Sequence, residues 1–290
     1  MRIPDIPPPV ARAKAPEAAF PPLATDCHAH IFGPQDRYPL LPATHFVPHE
    51  NPLPDYAAML RRIGCERAVL VQPSVYATDN RLIEEALRQP PEGIALRGVA
   101  VVAADIDDRE IERLHALGFR GIRINTASAT RGLALADARS LAQRIKGLGW
   151  HLQFFVNLRE QPQIEEALAQ LPCPVVIDHF AKIRTSEGLS SPAFQALLRL
   201  LRRDNCYAKL MGPYFISDRA PGYPDIVPFA RAMVEAAPDR VLWGTDWPHP
   251  SAREQMPDDG VLADLLLEWA GSRAQRDRML VDNPQRLYGF

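Results

Sequence analysis

The chain has 290 residues, 47% of them apolar and 23% charged, the balance of an ordinary globular domain rather than a disordered or fibrous one. Lysine and arginine (33) nearly match aspartate and glutamate (35), so a net charge of −2 gives no basis for binding nucleic acid or an anionic membrane through bulk charge. No apolar run approaches the roughly 20 residues of a membrane helix, and the N-terminus lacks the apolar core of a secretory signal. A cytoplasmic location is therefore expected. Cys27, Cys65, Cys173 and Cys206 have no C-x-x-C spacing and lie in or beside apolar segments, so they read as buried free thiols.

Proline (29 residues) is concentrated between positions 4 and 54. Residues 1–22 read as a Pro-rich arm draped over a single domain of residues 23–290. A first strand at 24–30 is followed by a long loop from Ile31 to Pro52, and loops of that length are usually functional. Beyond it, β-branched runs alternate with amphipathic ones. Strands are predicted at 67–73, 96–102, 119–125, 150–157, 174–180, 205–211 and 240–246, with helical patterns at 56–63, 81–88, 109–117, 136–148, 163–170, 193–202 and 226–236. Ser191-Pro192 is a helix start signal, and Gly118 and Gly149 end helices just before the next strand. Eight strand–helix repeats without a glycine-rich phosphate loop describe a (β/α)8 TIM barrel rather than a doubly wound open sheet.

In such a barrel, catalytic groups come from the C-terminal strand ends. These ends supply His28 and His30, Gln72 and Ser74, Arg123 and Asn125, Phe155 and Asn157, Asp178 and His179, Lys209 and Met211, and the run Gly244-Thr245-Asp246-Trp247-Pro248-His249. His28 and His30 are two apart, so both imidazoles leave one face of one strand. That pair can hold a divalent metal, or it can polarise a carbonyl without one. A single histidine at a strand end is commonly structural. A His-x-His pair, with a third histidine on strand six and an aspartate on strand eight, is a functional constellation. His115 lies inside a helix. His151 opens strand five, about 20 Å from Asn157 at roughly 3.3 Å per residue, so both His115 and His151 read as structural. His45 and His49 sit in the long loop within reach of the mouth.

Arg123 shares its strand face with Asn125, whereas Arg120 faces the helix layer or the base. Arg131 follows in the loop 126–132. A guanidinium at the mouth can grip a carboxylate bidentately. With Lys182, Arg184 and Lys209, the cations point to a small anionic substrate carrying more than one carboxylate.

His28-Ala29-His30, Asp178-His179 and Gly244-Thr245-Asp246-Trp247-Pro248-His249 together resemble the amidohydrolase superfamily. Within it, the chain is similar to the group of 2-pyrone-4,6-dicarboxylate lactonases, sugar-acid lactonases and lactone isomerases. Val71-Gln72-Pro73-Ser74 and Thr78-Asp79-Asn80 belong to the same likeness, which runs from about Ala24 to Tyr288. It implies a metal-independent lactonase with no cofactor. A zinc site would draw on His28, His30, His179 and Asp246. The tip of strand five, where such families often place a further histidine, holds Phe155-Val156-Asn157, and a neutral amide is a poor zinc ligand. Zinc is thus disfavoured, with His179 still able to complete a site.

The resulting expectation is reversible hydrolysis of a lactone. Asp246 acts as general base on water, and His28, His30 and His179 donate hydrogen bonds to the carbonyl oxygen. Ser74, Arg123, Arg131, Lys182 and Asn157 bind substrate, and His249 contacts it or orients the base. The chain departs from the pyrone dicarboxylate lactonase pattern after strands six and seven, where arginines are expected. Lys182 stands after one, and no arginine follows the other until Arg219. Phe155 also replaces an expected tyrosine. A sugar-diacid or other dicarboxylic lactone therefore stands beside the pyrone. A zinc-dependent decarboxylase on the same barrel and an inactive barrel binding an anionic ligand are the rival readings.

Overall fold

The computed structural model describes residues 6–42, 44, 46–127, 133, 135–252 and 255–290. Eight parallel strands follow in chain order around one sheet: β1 (Thr25–Ala29), β2 (Arg67–Val71), β3 (Ala95–Ala100), β4 (Phe119–Asn125), β5 (His151–Phe155), β6 (Val175–Ile177), β7 (Cys206–Leu210) and β8 (Val241–Trp243). A bridge between Ala29 and Trp247 brings the first strand against the last, giving a nearly closed barrel. The connecting helices are α1 (Leu53–Ile63), α2 (Arg81–Arg88), α3 (Asp108–Leu117), α4 (Leu135–Ile145), α5 (Ile164–Ala169), α6 (Pro192–Leu201) and α7 (Val227–Ala236). After β8 come α8 (Asp259–Ala270), α9 (Arg273–Asp277) and α10 (Asn283–Tyr288), which the periodicity reading did not single out.

Local chemistry sets these boundaries. Asp107 caps α3 by accepting the Glu110 amide, and Gly118 ends it at φ 110°, the left-handed geometry expected of a C′ glycine. Asp258 caps α8, accepting from Gly260 and Val261. The strands are shorter at their C-terminal ends than the sequence pattern suggests. Gln72, Asp178 and Asp246 lie just past the strand ends, yet their amides still donate across to the Val99, Phe154 and His28 carbonyls.

Alternate residues of each strand face the barrel interior. Val69, Val71, Val99, Val176 and Leu242 fill its lower half with Cys27, Tyr207 and Tyr288. His151 lies there too, edge-on to the Tyr288 ring at 5.3 Å, which bears out its structural reading. In β1 the register shifts between Asp26 and Ala29, an irregularity that spans His28 and precedes His30. The helices pack outside, over a larger apolar layer that includes Trp150, Phe194, Trp243 and Trp269. The arm lies along α1 and α8: the Lys14 amide donates to Asp258, the Glu17 amide to Asp264, and Arg62 Nε to the Ala13 carbonyl. The four cysteines are free and buried. Among the described residues, no helix is long and apolar enough to cross a membrane.

Candidate active site

A cleft of about 420 Å³, open mouth included, sits at the C-terminal end of the strands. Its walls include His30, Ser74, Arg123, Asn125, Phe155, His179 and Asp246, with Phe46, Phe215 and Ser251 from the loops. Asp246 Oδ1 is the point of convergence. It lies 3.7 Å from His28 Nε2, 3.9 Å from His30 Nε2 and 3.9 Å from His179 Nε2. The four residues expected to be catalytic are thus brought together, from β1, the turn after β6 and the turn after β8.

Backbone strain aims two of them. Asp246 holds φ at 66°, and the run His179–Lys182 holds four successive residues at φ 49–55°, a left-handed turn that non-glycine residues rarely adopt. This turn drops the His179 ring between Phe155 (5.0 Å) and Phe215 (4.5 Å). It also sends Lys182 Nζ back over both rings, at 5.2 and 5.7 Å. Asp26 ties β1 to β8. Its carboxylate accepts from the His28 and Thr245 amides at 3.0 Å each, and from Tyr56 and Thr245 hydroxyls at 2.8 and 2.6 Å.

Burial dominates the electrostatics. Desolvation pushes the Asp246 carboxyl up to about 7, against a hydrogen bond from the Tyr214 hydroxyl that lowers it. Burial drives His30 down to about 3, and His28 and His179 well below the usual histidine range, so all three imidazoles are neutral. The two histidines of β1 are not equivalent, however. His30 Nδ1 lies 2.7 Å from the Val71 carbonyl and must donate to it, leaving its Nε2 bare. His28 Nε2, 3.3 Å from that bare nitrogen, must then carry its own proton. The geometry thus favours His28 Nε2 as donor to His30 Nε2, so the two rings of this pair are not equivalent donors.

Other expected residues fall elsewhere. Arg123 and Ser74 line the cleft. Arg123 donates to the Gln72 carbonyl at 3.0 Å, and its Nε, 4.0 Å from Asp178, has no hydrogen-bond partner among the described residues. Asn157 is not on the cleft wall; its side chain accepts the Arg159 amide and organises the turn after β5. His249 is fully buried with its Nε2 3.1 Å from Asp259 on α8. Burial alone would lower it, but the Asp259 carboxylate more than offsets this and raises it. Its ring therefore stays off the cleft wall, because the turn after β8 curls it toward the helix layer, while its backbone amide donates to the Asp246 carbonyl at 2.7 Å. Lys209 is likewise buried beneath the histidines rather than exposed at the mouth. His49 is exposed outside the cleft, Arg184 pairs with Asp218 at 3.4 Å, and Arg120 caps carbonyls of the helix layer, as its strand face predicts. Arg131 and His45 lie outside the described residues.

Tyr214 and Gln153 were missed. Tyr214 stands in the turn after β7, where the sequence was searched for an arginine, and a hydroxyl-bearing ring two residues after a strand-end glycine was the available signal.

The whole barrel, residues 25–290, matches the amidohydrolase family model. The chain belongs to the amidohydrolase family. This amidohydrolase is 35% identical over 288 residues to a 2-pyrone-4,6-dicarboxylate hydrolase of Comamonas testosteroni, covering 96% of this chain and 94% of the relative. It is 36% identical over 274 residues to a 4-sulfomuconolactone hydrolase of Hydrogenophaga intermedia, covering 93% and 90%. An Agrobacterium tumefaciens protein solved in its apo form superposes with a TM-score of 0.84 at 30% identity, over 95% of this chain and 99% of that one.

Two triads of this amidohydrolase bring ligand atoms within 4.8 Å of one another: His28, His30 and Asp246, and His28, Asp178 and His179. Their spacing suits a divalent metal.

Proposed function

We propose that this chain hydrolyses the lactone ring of a small carboxylate-bearing substrate without a metal. The observation that carries the reading is the meeting of three neutral imidazoles on one buried carboxylate, Asp246, beside Arg123 and Ser74. The relatives named as lactone hydrolases support the reaction class.

Asp246, ionised, takes a proton from water as the water oxygen bonds to the lactone carbonyl carbon. His30 Nε2, which already accepts from His28 Nε2–H, stands beside that water without a proton of its own. The carbonyl electron pair moves onto its oxygen, which accepts from His179. Collapse breaks the ring carbon–oxygen bond, and the leaving oxygen takes back the proton held by Asp246. Charge returns to where it began. Arg123, with Ser74 and Asn125, engages a substrate carboxylate on the opposite wall, and Lys182 supplies a second, point-like positive charge at the rim. Arg131 is proposed to serve the same group.

A pH-indicator assay across pyrone, muconolactone-type and sugar-diacid lactones tests this, since ring opening releases a carboxylic proton. Hydrolysis of a carboxylated lactone is expected, with kcat reduced roughly 10²–10⁴-fold in Asp246→Asn. Retention of wild-type kcat in that variant removes Asp246 as the base. Chelator-sensitive activity that zinc restores removes the metal-free mechanism.

A further inference from the structure

The layer beneath the imidazoles takes no part in the proposed hydrolysis, yet it is polar and wholly buried. Lys209 Nζ donates to Gln153 Oε1 at 2.7 Å and lies 3.2 Å from His28 Nδ1. Gln153 passes an amide hydrogen to Asp178 Oδ2 at 2.9 Å. Asp178 Oδ1 has no hydrogen-bond partner among the described residues, although it stands 3.5 Å from both His28 Nδ1 and Lys209 Nζ. Three groups therefore meet at one ring nitrogen, since Gln153 Nε2 also lies 3.4 Å from His28 Nδ1. The ammonium, the nearest of them, and the Gln153 amide nitrogen can only donate to it; the carboxylate can only accept from it.

The far side of the ring points the same way as Lys209. His30 Nε2 is bare because its other nitrogen donates to Val71, and it lies 3.3 Å from His28 Nε2. That contact is attractive when His28 carries its proton on Nε2 and repulsive when two lone pairs face each other. His28 Nδ1 is then bare, and it takes a hydrogen from Lys209. Asp178 Oδ1 is left over, as observed.

We infer that Lys209 is a positioning residue that fixes the Nε2–H tautomer of His28 and so closes the His28–His30–Asp246 triad to a divalent metal. Spacing alone would not close it. The three facing atoms are 3.3, 3.7 and 3.9 Å apart, near the edge of about 3.4 Å spanned by tetrahedral bonds of about 2.1 Å. Ligation through His28 Nε2 requires the ring proton on Nδ1, where it meets the hydrogens of Lys209. A metal-bound imidazole gives that proton to an acceptor, commonly a carboxylate. Asp178 is such an acceptor, already within 3.5 Å, and Lys209 keeps the ring from using it. The inference rests on the metal-free reading of the site but not on the identity of the substrate.

Two measurements test it, neither using a substrate. In the wild-type protein, nitrogen-15 NMR of labelled histidine should show His28 protonated at Nε2 and His30 at Nδ1. A proton on His28 Nδ1 overturns the inference whether or not any variant folds. Zinc titration with competing chelator, and cobalt absorption spectra, should then show Lys209→Met binding metal on the order of 10–100-fold more tightly than wild type, the range by which outer partners of ligating histidines tune affinity. Lys209→Gln serves as a second, polar replacement. Unchanged zinc affinity in a variant shown folded by its melting transition also overturns it. A failed lactone screen with the Nε2–H signal present removes the proposed reaction and leaves this inference standing.

Discussion

Asp246 combines two conditions that seldom coincide: it is nearly inaccessible to water, and its catalytic form is charged. Burial holds its carboxyl near 7, so the ionised base accumulates as pH rises through that value. The rate constant kcat/KM is expected to climb along a single acid limb centred near 7. Tyr214 keeps the limb that low by donating to the carboxylate. A hydrogen bond to a charged group contributes roughly 1.5–3 kcal/mol, or about 1–2 pH units. Tyr214→Phe should therefore move the limb about one unit or more toward higher pH, with kcat on the plateau changed far less. A pH profile settles this, and an unmoved limb would mean that Tyr214 does not govern the base. The same burial cost has a stability consequence. Folding holds this carboxyl neutral up to about 7, so its ionisation disfavours the folded state as pH rises through that range. Asp246→Asn should raise the melting temperature at pH 8 by more than at pH 5, even as it removes activity.

At the level of elements, the site depends on where strands and turns are allowed to touch. A β-carbon on Gly244 would stand 2.8 Å from the His28 backbone nitrogen, so the missing side chain lets the end of β8 lie directly against β1. Asp26 fastens the same seam through two hydrogen bonds from Thr245, and accepts two more from His28 and Tyr56, at the cost of a carboxyl pushed up to about 6 by its burial. The turn after β7 is equally tight. Gly212 sits at φ 60°, and a β-carbon there would lie 2.5 Å from His179 Nδ1 and 2.8 Å from the Phe215 ring. Gly212→Ala is expected to lose about 1–2 kcal/mol of stability from the left-handed backbone. It should also displace His179, lowering kcat by at least about tenfold. Steady-state kinetics beside a urea titration separates the two effects; a stability loss with unchanged kcat would show that His179 is held by the aromatic rings alone.

Over the whole molecule, buried titratable groups pull stability in opposite directions. His28, His30, His151 and His179 are all held neutral below the ordinary histidine range, so each contributes stability that is present above about 6.5 and lost as pH falls. Asp26 and Asp246 act oppositely, contributing at low pH and losing it as pH rises through about 6 and 7. Near pH 5 the four histidines outnumber the two carboxyls. Unfolding should then take up about two protons, and stability should rise by about 3 kcal/mol per pH unit. Urea midpoints measured between pH 4.5 and 6, in steps, check the slope. A flat or falling curve would contradict the burial of the histidine cluster as neutral rings.

The strand–helix alternation, the glycine stops at Gly118 and Gly149 and the spacing of His28 and His30 are local facts of the chain, and local physics reads them. Apolar periodicity specifies which face of a strand or helix is buried, and a residue two positions on in a strand must share that face. The strand ends therefore announced His28, His30, His179 and Asp246 without a structure. Direction beyond a strand end is another matter. Asn157 follows β5 as closely as Asp246 follows β8, and His249 comes three residues later, yet the turns send the His249 ring to α8 and Asn157 into its own loop. Lys209 looked like one more cation at the mouth, while the barrel's pleat seats it under the histidines. Tyr214, Gln153 and the unequal protonation of the His28–His30 pair arise only where β2, β5, β6 and β7 approach β1. Hydrogen-bond direction across strands is a property of the closed barrel. Sequence fixes which groups are available to the site, and tertiary contact decides which of them carry the protons.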